Sequence, residues 1–156
     1  MKKNKIGILL LLVSIAGFLV VFMTLKFTEN DTKSEVISIF SKEEENFIET
    51  CDYLLAQKSD YVIQFRNTHL EIVDINTYSA VPINETDVNY QFYMRLILTH
   101  DFIDITKKSK TISFVKTVEN DIEKGIVYNS GMNSDFSYDD LEELTSGWYY
   151  YEVYIH

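Results

Sequence analysis

The densest run of chemically versatile side chains lies near the C-terminus, where Trp148, Tyr149, Tyr150, Tyr151 and Tyr154 fall within one short stretch. Such a row on a strand suits stacking on sugar rings or pairing with an extended peptide at a sheet edge, because each ring offers a broad apolar face and a polar tip. Side chains alternate between the two faces of a strand, so part of the row is expected to look away from the core. The competing account is strand propensity alone, or a sheet covered on both faces.

Other groups offer weaker chemistry. His69 and Glu71 project to one side of a strand, and His100 lies beside Asp101 and Asp104, a set from which a metal site or a hydrolase centre would have to be assembled. In a chain with 24 carboxylates such neighbours arise by chance, and no metal is expected. The segment Asn133 to Glu143 lacks the alternating ligands and central glycine of an EF-hand loop, so helix capping explains its acidity better than calcium does. Cys51 stands with Phe47, Ile48, Leu54 and Leu55 at helical spacing, where a thiol acts as a small hydrophobe. One cysteine also excludes a disulfide within the chain and zinc sites built on several thiolates. No nucleophile elbow, phosphate-cradling glycine loop or metalloprotease helix motif occurs, and five glycines leave little material for one. No cofactor is expected, and the balance is against an enzyme.

Charge excludes a further class. The chain carries 14 Lys and Arg against 24 Asp and Glu, and four of the lysines, Lys2, Lys3, Lys5 and Lys26, lie at the N-terminus. Residues 27 to 156 therefore hold 10 basic and 24 acidic side chains, a net charge of about −14. Such a surface repels phosphate backbones, so nucleic acid is not an expected partner.

The elements that position these residues begin with a membrane anchor. Residues 6–25 form an uncharged apolar run of twenty, which at about 1.5 Å per residue spans the roughly 30 Å hydrocarbon core. The lysines before it favour a cytoplasmic N-terminus, since Lys26 on the other flank is soon followed by Glu29 and Asp31. A cleaved signal peptide is the alternative, offered by the small residues Ser14 and Ala16, but cleavage there would leave an apolar N-terminus starting at Gly17. The expected organisation is a cytoplasmic tail (1–5), a transmembrane helix (6–26), a spacer (27–35) and an extracytoplasmic α+β domain (36–156).

Within that domain the apolar spacing changes from about 3.6 to 2. Ser41 and Glu44 form a capping box for an amphipathic helix ending near Gln57, with Phe40, Phe47, Ile48, Cys51, Leu54 and Leu55 on one face. Alternation predicts a strand over Val88 to Leu98, and β-branched or aromatic residues predict others at 61–65, 69–75, 102–106, 111–117, 125–128 and 148–155. Lys107 to Lys110 reads as a hairpin turn, and Asn129, Ser130 and Gly131 as another break. A short helix is expected over Tyr138 to Leu144, with Ser137 as N-cap and Phe136 stapled to Leu141, before Gly147 releases the last strand.

A helix that starts in the membrane, becomes amphipathic and leads into an antiparallel sheet resembles the layout of type IV pilin-like subunits. Their processing motif places a glycine before the apolar run and a glutamate five residues into the mature chain, whereas here Gly7 is followed at that point by Leu12. The resemblance therefore stops at architecture. With Arg66 and Arg95 the only arginines, while Lys, Ile, Asn and Tyr abound, composition points to an AT-rich bacterial genome. The expected role is a single-pass cell-membrane protein, held in the bilayer by residues 6–25, whose acidic outer domain meets an envelope protein partner. The alternatives are a sugar- or peptide-binding module using the C-terminal aromatics and a membrane-tethered hydrolase.

Overall fold

The computed structural model describes residues 32–87, 89–129 and 137–155. The expected tail 1–5, the membrane segment 6–26, spacer residues 27–31, the break at Ser130 and Gly131, the acidic residues Asn133 to Asp135, the staple residue Phe136 and the terminal His156 lie outside the described residues. Among the described residues no helix is long and apolar enough to cross a membrane. The chain divides into two units, Met1–Glu35 and Val36–His156.

Among the described residues the architecture is α+β, with two helices and an eight-stranded antiparallel sheet. Helix α1 occupies residues 32–56, so the last four residues of the expected spacer are helical. Ser41 is not its cap: the hydroxyl lies mid-helix and donates to the Ile37 carbonyl at 2.9 Å. Three strands follow, β1 (Tyr61–Arg66), β2 (His69–Asp74) and β3 (Ala80–Pro82), then helix α2 (Tyr90–Thr99). The chain ends with β4 (Asp104–Lys108), β5 (Thr111–Glu119), β6 (Ile122–Asn129), β7 (Asp140–Thr145) and β8 (Trp148–Tyr154). The spatial order is β3-β2-β1-β4-β5-β6-β8-β7.

Tight turns explain why neighbours in sequence pair. Asn67 and Thr68, between β1 and β2, and Asn120 and Asp121, between β5 and β6, all have positive φ, the geometry a two-residue type I′ hairpin demands. The expected turn at Lys107 to Lys110 is present, with Ser109 at φ 56°. Pro82, which cannot donate to a ladder, sits on the edge strand β3.

Two expectations are corrected. The expected strand over Val88 to Leu98, whose first residue lies outside the described residues, is helix α2 from Tyr90 onward, and its buried residues Phe92, Tyr93, Leu96 and Ile97 recur with the helical period. The expected helix over Tyr138 to Leu144 is instead strand β7, paired with β8 in a register that sets Asp140 opposite Glu152 and Leu141 opposite Tyr151. Backbone hydrogen bonds to the free edge of β8 outweigh the helical preference of a Leu-Glu-Glu-Leu sequence there.

Both helices lie on one face of the sheet. Phe47 of α1 is the hub: its ring centroid lies 4.8 Å from Phe114 on β5, 5.2 Å from Phe92 on α2 and 5.8 Å from Trp148 on β8, each edge to face. Around it pack Val36, Ile39 and Phe40 of α1, with Ile63, Leu70, Ile105, Ile112 and Ile126 from the strands. Arg95 of α2 reaches Glu43 of α1 at 3.2 Å, clamping the helices to each other at the surface.

Candidate functional site

Strand alternation splits the C-terminal aromatic row. Trp148 and Tyr150 point under the helices, and both are buried in the main core. Tyr150 spends its hydroxyl on Glu152 at 2.6 Å, and Glu152 in turn takes Lys124 at 3.4 Å. Tyr149 and Tyr151 belong to the opposite face, which carries neither helix; Tyr149 is half-buried and Tyr151 is 1% exposed. Tyr154 is exposed at the strand end. The five rings thus do not form one surface, and the helix-free face receives only two of them.

That face gathers groups the spacing along the chain does not connect. A single line of paired residues crosses five strands, Asp104 to Val115 to Gly125 to Tyr151 to Leu141. Gly125 is the pivot. A side chain there would collide with the carbonyl oxygen of Phe114 and sit 3.2 Å from the Tyr151 ring, so only glycine lets that ring lie across β6. Tyr151 Oη then donates to Glu123 Oε1 at 2.6 Å, and the Tyr138 ring stacks edge to face on Tyr151 at 5.5 Å. Val115 and Val127 are buried on this face, outside the main core cluster, and form its apolar floor.

The electrostatics follow from this packing. Burial pushes the Asp104 carboxyl up to about 6, the Thr106 hydroxyl donating at 3.1 Å opposes that rise, and the charge of Glu123 adds to it. Burial and then Glu123 hold the Tyr151 phenol well above its ordinary value and push Tyr138 up to about 12. The cluster therefore offers one carboxyl poised between its two forms and one carboxylate already bound by a phenol. It can exchange hydrogen bonds with hydroxyl or amide groups.

The remaining sequence candidates are dispersed. Glu71 is buried and accepts from Gln64 Nε2 at 2.7 Å, while His69, on the same face, meets the Asn67 carbonyl at 3.3 Å. His100 caps the C-terminus of α2, and its carbonyl receives the ammonium of Lys116. Among the described residues no three His, Cys, Asp or Glu side chains come together in a way that could hold a metal. Cys51 is buried, and burial followed by the charge of Asp52 raises its thiol far above the ordinary value. The folded protein should accordingly leave Cys51 unmodified by maleimide and react fully once denatured; fast labelling of the native protein would contradict its position in the core.

Glu123 and Gly125 on β6 escape sequence reasoning, and Asp104 on β4 stood out only as a neighbour of His100, because pairing between strands is what brings the three together. Gly125 alone gave a signal, since a glycine inside a strand pattern marks a close approach. Compared with known proteins, the chain matches no family model, no curated protein and no solved structure.

Proposed function

We propose that this protein is a non-enzymatic interaction component of a bacterial cell envelope, held in the membrane by residues 6–25 with its acidic domain outside the cytoplasm. The observation that carries the reading is the solvent side of α1, where Ile48 is 41% exposed within a ring of exposed Glu44, Glu45, Glu49 and Asp52. An apolar centre with a charged rim is the anatomy of a protein interface, and the sign of the rim selects a partner surface rich in Lys and Arg.

The experiment is photo-crosslinking of the full chain in its own membrane with a benzophenone residue at position 48. The reading predicts one reproducible envelope protein as the product, lost when Glu44→Lys, Glu45→Lys and Glu49→Lys are combined. Self-crosslinks alone, or a product indifferent to charge reversal, would overturn it.

A second reading, recognition of a sugar or an extended peptide, draws on the helix-free face, where Tyr149 lies on the same side as the Asp104, Glu123 and Tyr151 cluster. Tyr149→Ala with Tyr154→Ala should then abolish ligand retention while the domain stays folded; unchanged retention would rule it out.

A further inference from the structure

The line of paired residues on the helix-free face continues past Asp104 in the other direction. Asp104 of β4 stands opposite Gln64 of β1, and Gln64 stands opposite Glu71 of β2. Side chains paired in this way project to one face with Cβ atoms about 4.5–5.5 Å apart, so Gln64 is within reach of both carboxyl groups. Glu71 is 7% exposed, and Gln64 Nε2 donates to its Oε1 at 2.7 Å.

An amide carries its donor and its acceptor on opposite sides of one carbon. With Nε2 committed to β2, Gln64 Oε1 is left on the side of β4. Asp104 stands there, its Oδ1 accepting the Thr106 hydroxyl at 3.1 Å. An ionised carboxyl has no hydrogen to give an amide oxygen, so the two repel one another. A protonated one turns the same approach into an O–H···O bond.

The surroundings favour the proton. Glu123 on β6 and Glu71 beyond the amide are both acidic, and the Tyr151 phenol of β8, with the Tyr138 ring against it, is already given to Glu123. On β5, Val115 pairs with Asp104, and Lys116 beside it gives its ammonium to the His100 carbonyl. Arg66, His69 and Lys108 stand at strand ends, with Arg66 and Lys108 exposed to solvent. Burial first, and Glu123 after it, accordingly push the Asp104 carboxyl up to about 6 against the opposing Thr106 bond.

We propose that Asp104, Gln64 and Glu71 form a proton-operated clasp, in which protonated Asp104 donates to Gln64 Oε1 and links β4, β1 and β2 through their side chains. Loss of the proton leaves Gln64 between two carboxylates, turns its amide towards Asp104 and loosens its bond to Glu71. A carboxyl that titrates high in the fold keeps the clasp closed at low pH and opens it as pH rises through that titration. The clasp does not rest on the envelope reading. Its test is NMR of the isotope-labelled full chain in lipid nanodiscs, titrated between about pH 4 and pH 8. The Gln64 side-chain amide and the Glu71 carboxyl carbon should shift together, with one midpoint at about 6. Asp104→Asn keeps a donor for Gln64 at every pH, so in that variant both signals should hold their low-pH positions throughout. A Gln64 amide that ignores pH, or one that titrates alike in wild type and Asp104→Asn, would overturn the clasp.

Discussion

Replacing Phe47 with alanine should destabilise the domain by about 3–5 kcal/mol, the range for deleting a fully buried ring. Its side chain is completely enclosed, and its ring meets Phe40, Phe92, Phe102, Phe114 and Trp148, so one truncation opens a hole bounded by both helices and two strands. Those neighbours are themselves large and mutually packed, which leaves little freedom to collapse into the space. Against a total stability of about 5–15 kcal/mol, the variant would stand near the edge of unfolding. Urea denaturation of wild type and variant reads the difference directly. A loss below about 1 kcal/mol would mean that α1 does not pack on the sheet through this residue.

The second large effect is pH dependence through Asp104. Its carboxyl titrates at about 6 in the fold against an ordinary 3.8, so the folded state holds the proton more tightly than the unfolded chain does. Below about pH 4 the group is neutral in both states and costs nothing; stability then falls as pH rises towards 6, where the unfolded chain is ionised while the fold still holds the proton, and it levels off above the folded pKa. A shift of that size corresponds to about 3 kcal/mol above pH 6, as an upper limit. Asp104→Asn keeps an oxygen for the Thr106 hydroxyl and removes the charge. The variant should match wild type at pH 4 and exceed it at pH 7, whereas a difference that stays flat across that window would show Asp104 to be well solvated.

The same residues show which parts of the fold were legible. The amphipathic stretch around Phe47 declared itself because its apolar spacing fits one period only, although Ile48, expected on the packed face, is 41% exposed. In Tyr90 to Leu98 nearly every position is apolar, so the set Phe92, Met94, Leu96, Leu98 supports alternation while the set Phe92, Tyr93, Leu96, Ile97 supports a helix. Burial follows the second set. Strand β7 misleads in the other direction, since Asp139, Asp140, Glu142 and Glu143 look like a helix start but lie on or beside an exposed edge strand, where charge discourages stray pairing. Strand β3 is three exposed residues long and had no hydrophobic signature to find.

The site was less legible than the fold. The aromatic row was visible as composition, but its division between two faces depends on which residue of β8 first turns inward, and Trp148 does so by packing against Phe40, Phe47 and Tyr128. Once Trp148 is inside, Tyr150 must follow and Tyr151 must face away. The acidic partners of Tyr151 come from β4 and β6 through long-range pairing, which composition does not encode.

The location of the domain is open to a direct reading in cells. Lys58 is exposed just beyond α1, and the native cysteine is shielded in the core, so Lys58→Cys supplies one reactive thiol on the domain surface. Treated with a membrane-impermeant maleimide, intact cells carrying this full-length variant should label to the same extent as lysed cells, as an extracytoplasmic domain behind a single crossing requires. Labelling that appears only after lysis would put the domain in the cytoplasm and contradict the envelope role.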